Sequence, residues 1–300
     1  MENTHGLRLR RAEKEDCRFL YELRNEEEVR KNSFQTGIFS YEDHVALFER
    51  KLEEKNTRIY ILEQDGERIG QARVDLEGQN GEISYALCLR ARGHGYSKWM
   101  LGSIEEELRE QAVCRKLIAE VKRENIASQK IFETLSYIAV PADYGYVFEK
   151  KIPLFTIIMC TYNSAQTLAT AVESVRNQEF GGWEMQILDN GSKDESVEKL
   201  QEYEKSDDRI KCIYRKDNIG WGKGISECLK TSAGGYMMFL GADDYLATEH
   251  TLTEVADEVK KNHPQIIFTG TYYAKYEQGE YHIIRYTLPE NKVYKGDGER

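Results

Sequence analysis

The chain has no run of ~18 consecutive apolar residues, the length a membrane-crossing helix needs. None of its six cysteines stands in a C-x-x-C pair or at metal-ligand spacing. Cys17, Cys88, Cys114, Cys160, Cys212 and Cys228 therefore read as reduced, cytosolic thiols. The opening Met1 to Arg8 lacks the apolar stretch of a signal peptide, so the expected location is the cytoplasm. Basic residues are in deficit: 42 Lys and Arg face 52 Asp and Glu, for a net charge of −10. That balance argues against nucleic acid as a partner. It leaves diphosphates open, because salt screens distant charge over roughly 10 Å while local dipoles act at contact. Internal repeats and low-complexity tracts are also missing, and 300 residues are enough for two domains with separate cores. The acidic clusters Glu26-Glu27-Glu28 and Glu105-Glu106-Glu107 read as solvated helix faces.

The most informative segment present is Arg90-Ala-Arg92-Gly93-His94-Gly95-Tyr96-Ser97-Lys98. Without a Cβ, Gly93 and Gly95 can take positive φ and turn successive N–H groups toward one point, where the next helix adds the positive end of its dipole. The flanks fit this use. Gly81 to Leu87 alternates like a strand, and Leu101, Ile104 and Leu108 recur on one helical face. Earlier, Ser40 and Asp43 start a helix that buries Val45, Phe48 and Leu52. Asp65-Gly66 then joins two strands as a hairpin. Further on, Lys116 to Val121 reads as a strand, followed by Asn125-Ile-Ala-Ser128.

Residues from about 5 to 150 resemble an acetyltransferase of the GNAT superfamily. Its acyl-CoA loop, Arg/Gln-x-x-Gly-x-Gly/Ala, is matched by Arg90, Gly93 and Gly95, and its Asn-x-x-Ser/Ala signature by Asn125 and Ser128. The resemblance implies a mixed sheet flanked by helices, binding acetyl-CoA. The pyrophosphate would lie on residues 90 to 98 (Arg90, Arg92, Gly93, His94, Gly95, Tyr96, Ser97), and the pantetheine arm beside Leu87, Cys88 and Leu89. His94 touches phosphate or caps a turn; the turn is favoured. The run Leu23 to Phe34 resembles members that acetylate a nucleotide-linked 4-amino-6-deoxy sugar on the way to pseudaminic acid. Glu82 is the candidate base. Where the superfamily often places an acidic tyrosine, seven residues after the asparagine, this chain has Phe132, which by the resemblance joins Asn125 and Ser128 among the residues expected to bind the cofactor. Either Tyr137 or another tyrosine substitutes, or the thiolate leaves unaided, or this half binds without catalysing.

After Tyr146 to Lys150 the chain passes into Pro153 to Met159 without a linker, so domains of 1–151 and 152–300 should abut. Thr156 to Met159 ends at Cys160-Thr161-Tyr162-Asn163, a helix is expected from Ser164 to Gln178, and Met185 to Leu188 ends at Asp189-Asn190-Gly191-Ser192-Lys-Asp194. This is a parallel strand, helix, strand unit, whose ligands bind beyond the carboxyl ends of the strands. Tyr236 to Leu240 stops at Asp243-Asp244 on the same rim. Two adjacent carboxylates suit a hard cation, Mg²⁺ or Mn²⁺, shared with substrate phosphates; a helix cap or turn is the plainer use.

Together these motifs resemble the donor half of family 2 glycosyltransferases of the GT-A, Rossmann-like fold. By that resemblance Thr161, Tyr162, Asn163, Asp189 and Asn190 would hold the nucleotide, and Asp243 with Asp244 would hold the metal on a sugar diphosphate, Asp244 counting as catalytic through it. The implied whole is a fusion of two transferases acting on nucleotide sugars, with a glycan or protein acceptor. The alternative is a non-catalytic GNAT-like module that docks the transferase to a partner. The acceptor half, which normally carries the base, is missing before Arg300, so the second domain is expected to be truncated.

Overall fold

The computed structural model describes residues 6–267 in full, and backbone alone over 271–277 and 280–286. The first half runs β1 (Leu7–Arg11), α1 (Cys17–Asn25), α2 (Glu27–Asn32), α3 (Tyr41–Glu53), β2 (Thr57–Gln64), β3 (Glu67–Glu77), β4 (Asn80–Leu87), α4 (Tyr96–Gln111), β5 (Lys116–Lys122), α5 (Ile126–Thr134), β6 (Ile138–Ala142) and β7 (Gly145–Lys151). Ser40 caps α3, accepting from Asp43 N at 3.1 Å. In the β2–β3 turn Asp65 and Gly66 have φ of 50° and 84°, the left-handed pair that a two-residue hairpin with native twist requires. The strands form one sheet in the order β1-β2-β3-β4-β5-β7-β6, antiparallel except at β4 and β5.

That parallel pair is short. It joins only Asn80, Gly81 and Glu82 to Lys116, Leu117 and Ile118, although both strands run on for four or five residues. Beyond Glu82 the sheet splits into a wedge. On β4, Ile83 and Leu87 are buried and Glu82 and Ser84 exposed, so one side of the strand faces the core. The opposing helix α4 fully buries Met100, Leu101, Ile104 and Leu108, each contributing about 1.5–3 kcal/mol of apolar burial.

The second half contains β8 (Phe155–Thr161), α6 (Leu168–Arg176), β9 (Trp183–Asp189), α7 (Ser196–Ser206), β10 (Ile210–Tyr214), α8 (Trp221–Thr231), β11 (Tyr236–Phe239) and α9 (Thr251–Asn262), followed by the hairpin β12 (Thr271–Glu277) and β13 (Glu280–Tyr286). Its four-stranded sheet is entirely parallel, in the order β10-β9-β8-β11. The β8 and β9 strands are central and nearly buried throughout, as parallel strands covered on both faces are, and the buried Glu184 of β9 accepts from Thr156 Oγ1 of β8 at 2.8 Å. Strand order reverses between β8 and β11, which opens a crevice at their carboxyl ends.

The halves abut. Ile152 packs in the first core and Leu154 in the second. Ile152 N donates to Arg115 O at 2.9 Å and Leu154 N to Gly182 O at 2.8 Å. Glu110 of α4 pairs with His263, just past α9, at 3.0 Å. No described helix is long and apolar enough to cross a membrane.

Candidate active sites

The glycine loop has the geometry a phosphate cradle needs. Gly93 and Gly95 take φ of 82° and 79°, Gly95 is the N-cap of α4, and a Cβ built on Gly93 would meet nothing within 4 Å. The loop is therefore open to a ligand, and acetyl-CoA fits its chemistry through main-chain N–H groups and a helix start. The side chains around it are partly committed. Arg90 pairs with Glu67 at 2.6 Å on the surface. Arg92 donates to Leu87 O at 3.1 Å and reaches Glu26 at 3.4 Å, tying the loop to β4 and to the α1–α2 junction. His94 stacks on Tyr96 at 5.4 Å, and Tyr96 accepts from Gln64 at 2.8 Å. The Leu87 side chain is in the core, whereas Leu89 is exposed.

Asn125 caps α5, its side-chain oxygen accepting from Ser128 N at 3.2 Å. The Ser128 hydroxyl lies 3.1 Å from that of Tyr85 on β4, and Ser97 in the first turn of α4 also hydrogen-bonds the phenol. Burial pushes the Tyr85 phenol up, against those two hydroxyls and the charge of Arg92. On the opposite side of β4, Glu82 is exposed at the vertex of the wedge. Tyr144 donates to Glu120 at 2.6 Å. Its phenol is pushed up to about 12 by that bond, then by burial and the charges of Glu120 and Glu82. Two carboxylates and a phenol thus converge where an ammonium could be held.

Two expectations are corrected here. Tyr137 is buried in the core, edge-on to Phe132 at 4.9 Å. Its phenol is driven far up by burial and by Glu105 of α4, so it is not brought to the wedge. Phe132 is 2% exposed, packed among Tyr85, Tyr137 and Phe148. It is a core residue and presents no surface to a cofactor. At both positions depth in the core, not spacing along the chain, decides what the side chain can reach.

At the second site, Thr161 ends β8 and Asp189 ends β9, directly paired across the sheet. Both are 1% exposed, and Thr161 Oγ1 and Asp189 Oδ1 have no hydrogen-bond partner. Orphaned buried acceptors are costly unless a ligand or water satisfies them. The other oxygen of Asp189 accepts from the N–H groups of Gly191 and Ser192 at 3.1 Å each. Asn190 and Asn163 are engaged within the loops. Asn190 accepts from Ile219 N at 2.8 Å and donates to Asn218 at 2.9 Å. Asn163, at φ 51°, accepts from Lys193 N at 2.7 Å. Tyr162 is 48% exposed. After β11, Asp243 and Asp244 are exposed and fold back over Gly241. A Cβ there would stand 2.9 Å from Asp243 Oδ1 and 2.6 Å from Asp244 Oδ2. Adjacent hard oxygen donors with free access suit Mg²⁺ or Mn²⁺ completed by phosphate oxygens.

The predicted helix from Ser164 begins four residues later, at Leu168. Ser196 and Asp194 capture the N–H groups of Ser164 and Ala165, each at 3.0 Å, so tertiary partners replace the first helical turn. Tyr85, Glu120 and Tyr144 were not anticipated. For Tyr85 the signal was present, because it shares the parity of Ile83 and Leu87 on β4 and so faces the helices.

Residues 6–137 match the family model "Acetyltransferase (GNAT) domain" and residues 156–298 match "Glycosyl transferase family 2". The putative teichuronic acid biosynthesis glycosyltransferase TuaG of Bacillus subtilis is 37% identical over 92 residues, 31% of this chain and 36% of the relative. The putative glycosyltransferase EpsE of Bacillus subtilis is 31% identical over 119 residues, 39% of this chain and 43% of the relative. The chain thus spans less than half the length of these curated relatives. Among solved structures, the ribosomal L7/L12 alpha-N-protein acetyltransferase RimL with coenzyme A is similar at a TM-score of 0.45 and 15% identity, over 49% of this chain and 95% of that one. Spermidine N-acetyltransferase from Vibrio cholerae with CoA and spermine is similar at a TM-score of 0.45 and 16% identity, over 49% and 96%.

Proposed function

We propose, from the match of residues 6–137 to the GNAT acetyltransferase model and of residues 156–298 to the family 2 glycosyltransferase model, that the chain is a bifunctional enzyme divided after Lys151. The first half N-acetylates a nucleotide-linked amino sugar with acetyl-CoA, and the second transfers a sugar from a nucleotide donor during glycan assembly or flagellin glycosylation in the cytoplasm. One observation carries the reading: each half leaves polar groups without protein partners where its ligand would lie. In the first these are backbone groups of β4 that the ladder to β5 no longer pairs beyond Glu82, Leu87 O excepted because Arg92 donates to it; in the second, Thr161 Oγ1 and Asp189 Oδ1.

Glu82 and Glu120 hold the acceptor ammonium at the vertex of the wedge, and Glu82 takes its proton. The first-turn N–H groups of α4 bind the pyrophosphate. In the second half Thr161 and Asp189 bind base and ribose beside the Tyr162 ring, and Asp243 and Asp244 hold the cation. A bound divalent cation neutralises the charge that develops on the departing nucleotide diphosphate. The relative TuaG is named for teichuronic acid biosynthesis, which suits a role in glycan assembly.

The test is mass-spectrometric detection of acetylated product from acetyl-CoA and a UDP-4-amino-6-deoxy sugar, with calorimetry of UDP binding in the presence and absence of Mn²⁺. Product together with Mn²⁺-dependent binding is expected; absence of both would overturn the reading. The docking-module alternative is favoured by Phe132, which leaves α5 without a hydroxyl at that position, and it predicts acetyl-CoA binding without product.

A further inference from the structure

We propose that Tyr85, on β4, is the proton donor to the departing CoA thiolate, in place of a residue on α5. The inference rests on the acetyl-transfer reading above and names the group that completes it.

Among the described residues, every other neighbouring pair in the seven-stranded sheet is joined along nearly its whole length, and only β4 and β5 separate, after Glu82 and Ile118. A linear arm whose diphosphate rests at Gly93 to Gly95 must follow the free edge of β4 from Leu87 toward that vertex. Tyr85 lies midway along this path. Its hydroxyl reaches from β4 to the first turn of α5, 3.1 Å from Ser128 Oγ, and meets Ser97 in the first turn of α4. Hydroxyls from the first turns of two helices therefore meet one phenol oxygen, close to helix ends whose dipoles favour developing negative charge. The ring is backed edge-on by Phe132 at 6.0 Å, which fixes its direction. Tyr137 is enclosed in the core, so Tyr85 supplies the phenol that Phe132 cannot.

In the step, the acceptor nitrogen bonds to the acetyl carbon and the C–S bond breaks with its electron pair on sulfur. The Tyr85 phenolic proton passes to that sulfur, and the phenolate regains a proton from water through Ser128. The proton lost by the nitrogen leaves through Glu82. In balance one proton moves from nitrogen to sulfur.

The experiment uses the full chain and its Tyr85→Phe variant with two readouts. The first needs no acceptor: CoA is bound and its thiol titrated by thiolate ultraviolet absorbance. Loss of the phenol should raise the bound thiol pKa by about one unit, a tenfold shift in ionisation, while calorimetric affinity for acetyl-CoA stays within about twofold. The second is acetylation of the UDP-4-amino-6-deoxy sugar, where kcat should fall roughly 100-fold with KM little changed. Ser128→Ala keeps the phenol and removes its relay, so a smaller fall in kcat is expected, and it serves if the first variant does not fold. An unchanged thiol titration in Tyr85→Phe overturns the proposal whether or not the acceptor is correct. A shifted titration in an enzyme that acetylates no sugar supports the assignment and refutes the substrate reading alone.

Discussion

In the first half the groups left open to a ligand are main-chain ones, on the free edge of β4 and around Gly93, whereas in the second they are side-chain oxygens of Thr161, Asp189, Asp243 and Asp244. The difference follows from sheet topology. A mixed sheet that splits exposes its own hydrogen-bonding edge, and a ligand can join it as a strand would. The four-stranded parallel sheet stays joined between all its neighbouring strands, so a ligand at its carboxyl rim meets only what projects beyond the strand ends. Cofactor affinity at the first site should therefore tolerate side-chain truncation and resist backbone change, and nucleotide affinity at the second should do the reverse.

The largest expected effect is at Asp189. Asp189→Ala should weaken UDP binding by about 3 kcal/mol, roughly 100-fold, the upper range for a hydrogen bond to a charged group, with acetyl-CoA affinity unchanged. The turn at Gly191 also loses its acceptor, so Thr161→Val is the cleaner companion. It deletes an orphaned buried oxygen and keeps the shape, so UDP affinity should fall about tenfold while the melting temperature holds or rises. A melting temperature that drops in Thr161→Val would mean that the oxygen serves the fold.

Phe132→Tyr comes next. If the missing α5 phenol limited the rate, restoring it would raise turnover; the packing argues otherwise. Phe132 is enclosed by three aromatic rings, so a new hydroxyl there is buried without a partner and should cost about 1–3 kcal/mol of stability. Chemical denaturation and turnover measured together check this, with lower stability and no gain in rate expected.

In the first site, Gly93→Ala forces a Cβ into the left-handed region at a cost of roughly 1–2 kcal/mol. The loop should relax and CoA affinity fall about tenfold. Arg90→Ala removes only a surface guanidinium paired with Glu67, and a change under about threefold is expected. Calorimetry of both variants with CoA decides the matter; a larger loss for Arg90→Ala would mean that side chains bind the diphosphate after all.

Features set by neighbours in sequence were legible before the fold was known. The positive φ at Gly93 and Gly95, the Asn125 cap, the Asp65-Gly66 turn and the polar residues ending β8 and β9 all follow from local chemistry. The wedge was not, because it depends on where two strands 36 residues apart cease to pair. Tyr85 escaped for the same reason: its partner Ser128 is 43 residues away. Tyr137 and Phe132 were misread because spacing along the chain gives the position of a side chain and not its depth. Ser164 shows tertiary contacts overriding a local helix signal.

The smallest and most selective effect is acid sensitivity of the first half. Asp16 is fully buried and receives Arg10 at 2.7 and 2.8 Å, Arg68 at 2.8 Å and Glu13 N at 2.8 Å. Burial alone would raise its carboxyl pKa, but the bonds from Arg10 and Glu13, with the charge of Arg68, outweigh it and hold the group below its ordinary value. A carboxyl with a depressed folded pKa contributes stability that is fully present above its unfolded pKa of about 3.9 and lost as pH falls through the folded one. The second half has a less enclosed counterpart: between α7 and β10, Asp207 receives Arg209 at 2.9 and 2.7 Å and pairs with Arg176 at 3.6 Å, but its side chain is 9% exposed against 1% for Asp16. On acidification below about pH 4, hydrogen exchange should open α1 and β1 before β8 and β9. Asp16→Asn should abolish that order by weakening the first half already at neutral pH. Simultaneous opening of both halves in the unaltered chain would show that the packed seam between α4 and α9, and not the separate cores, sets the unit of unfolding.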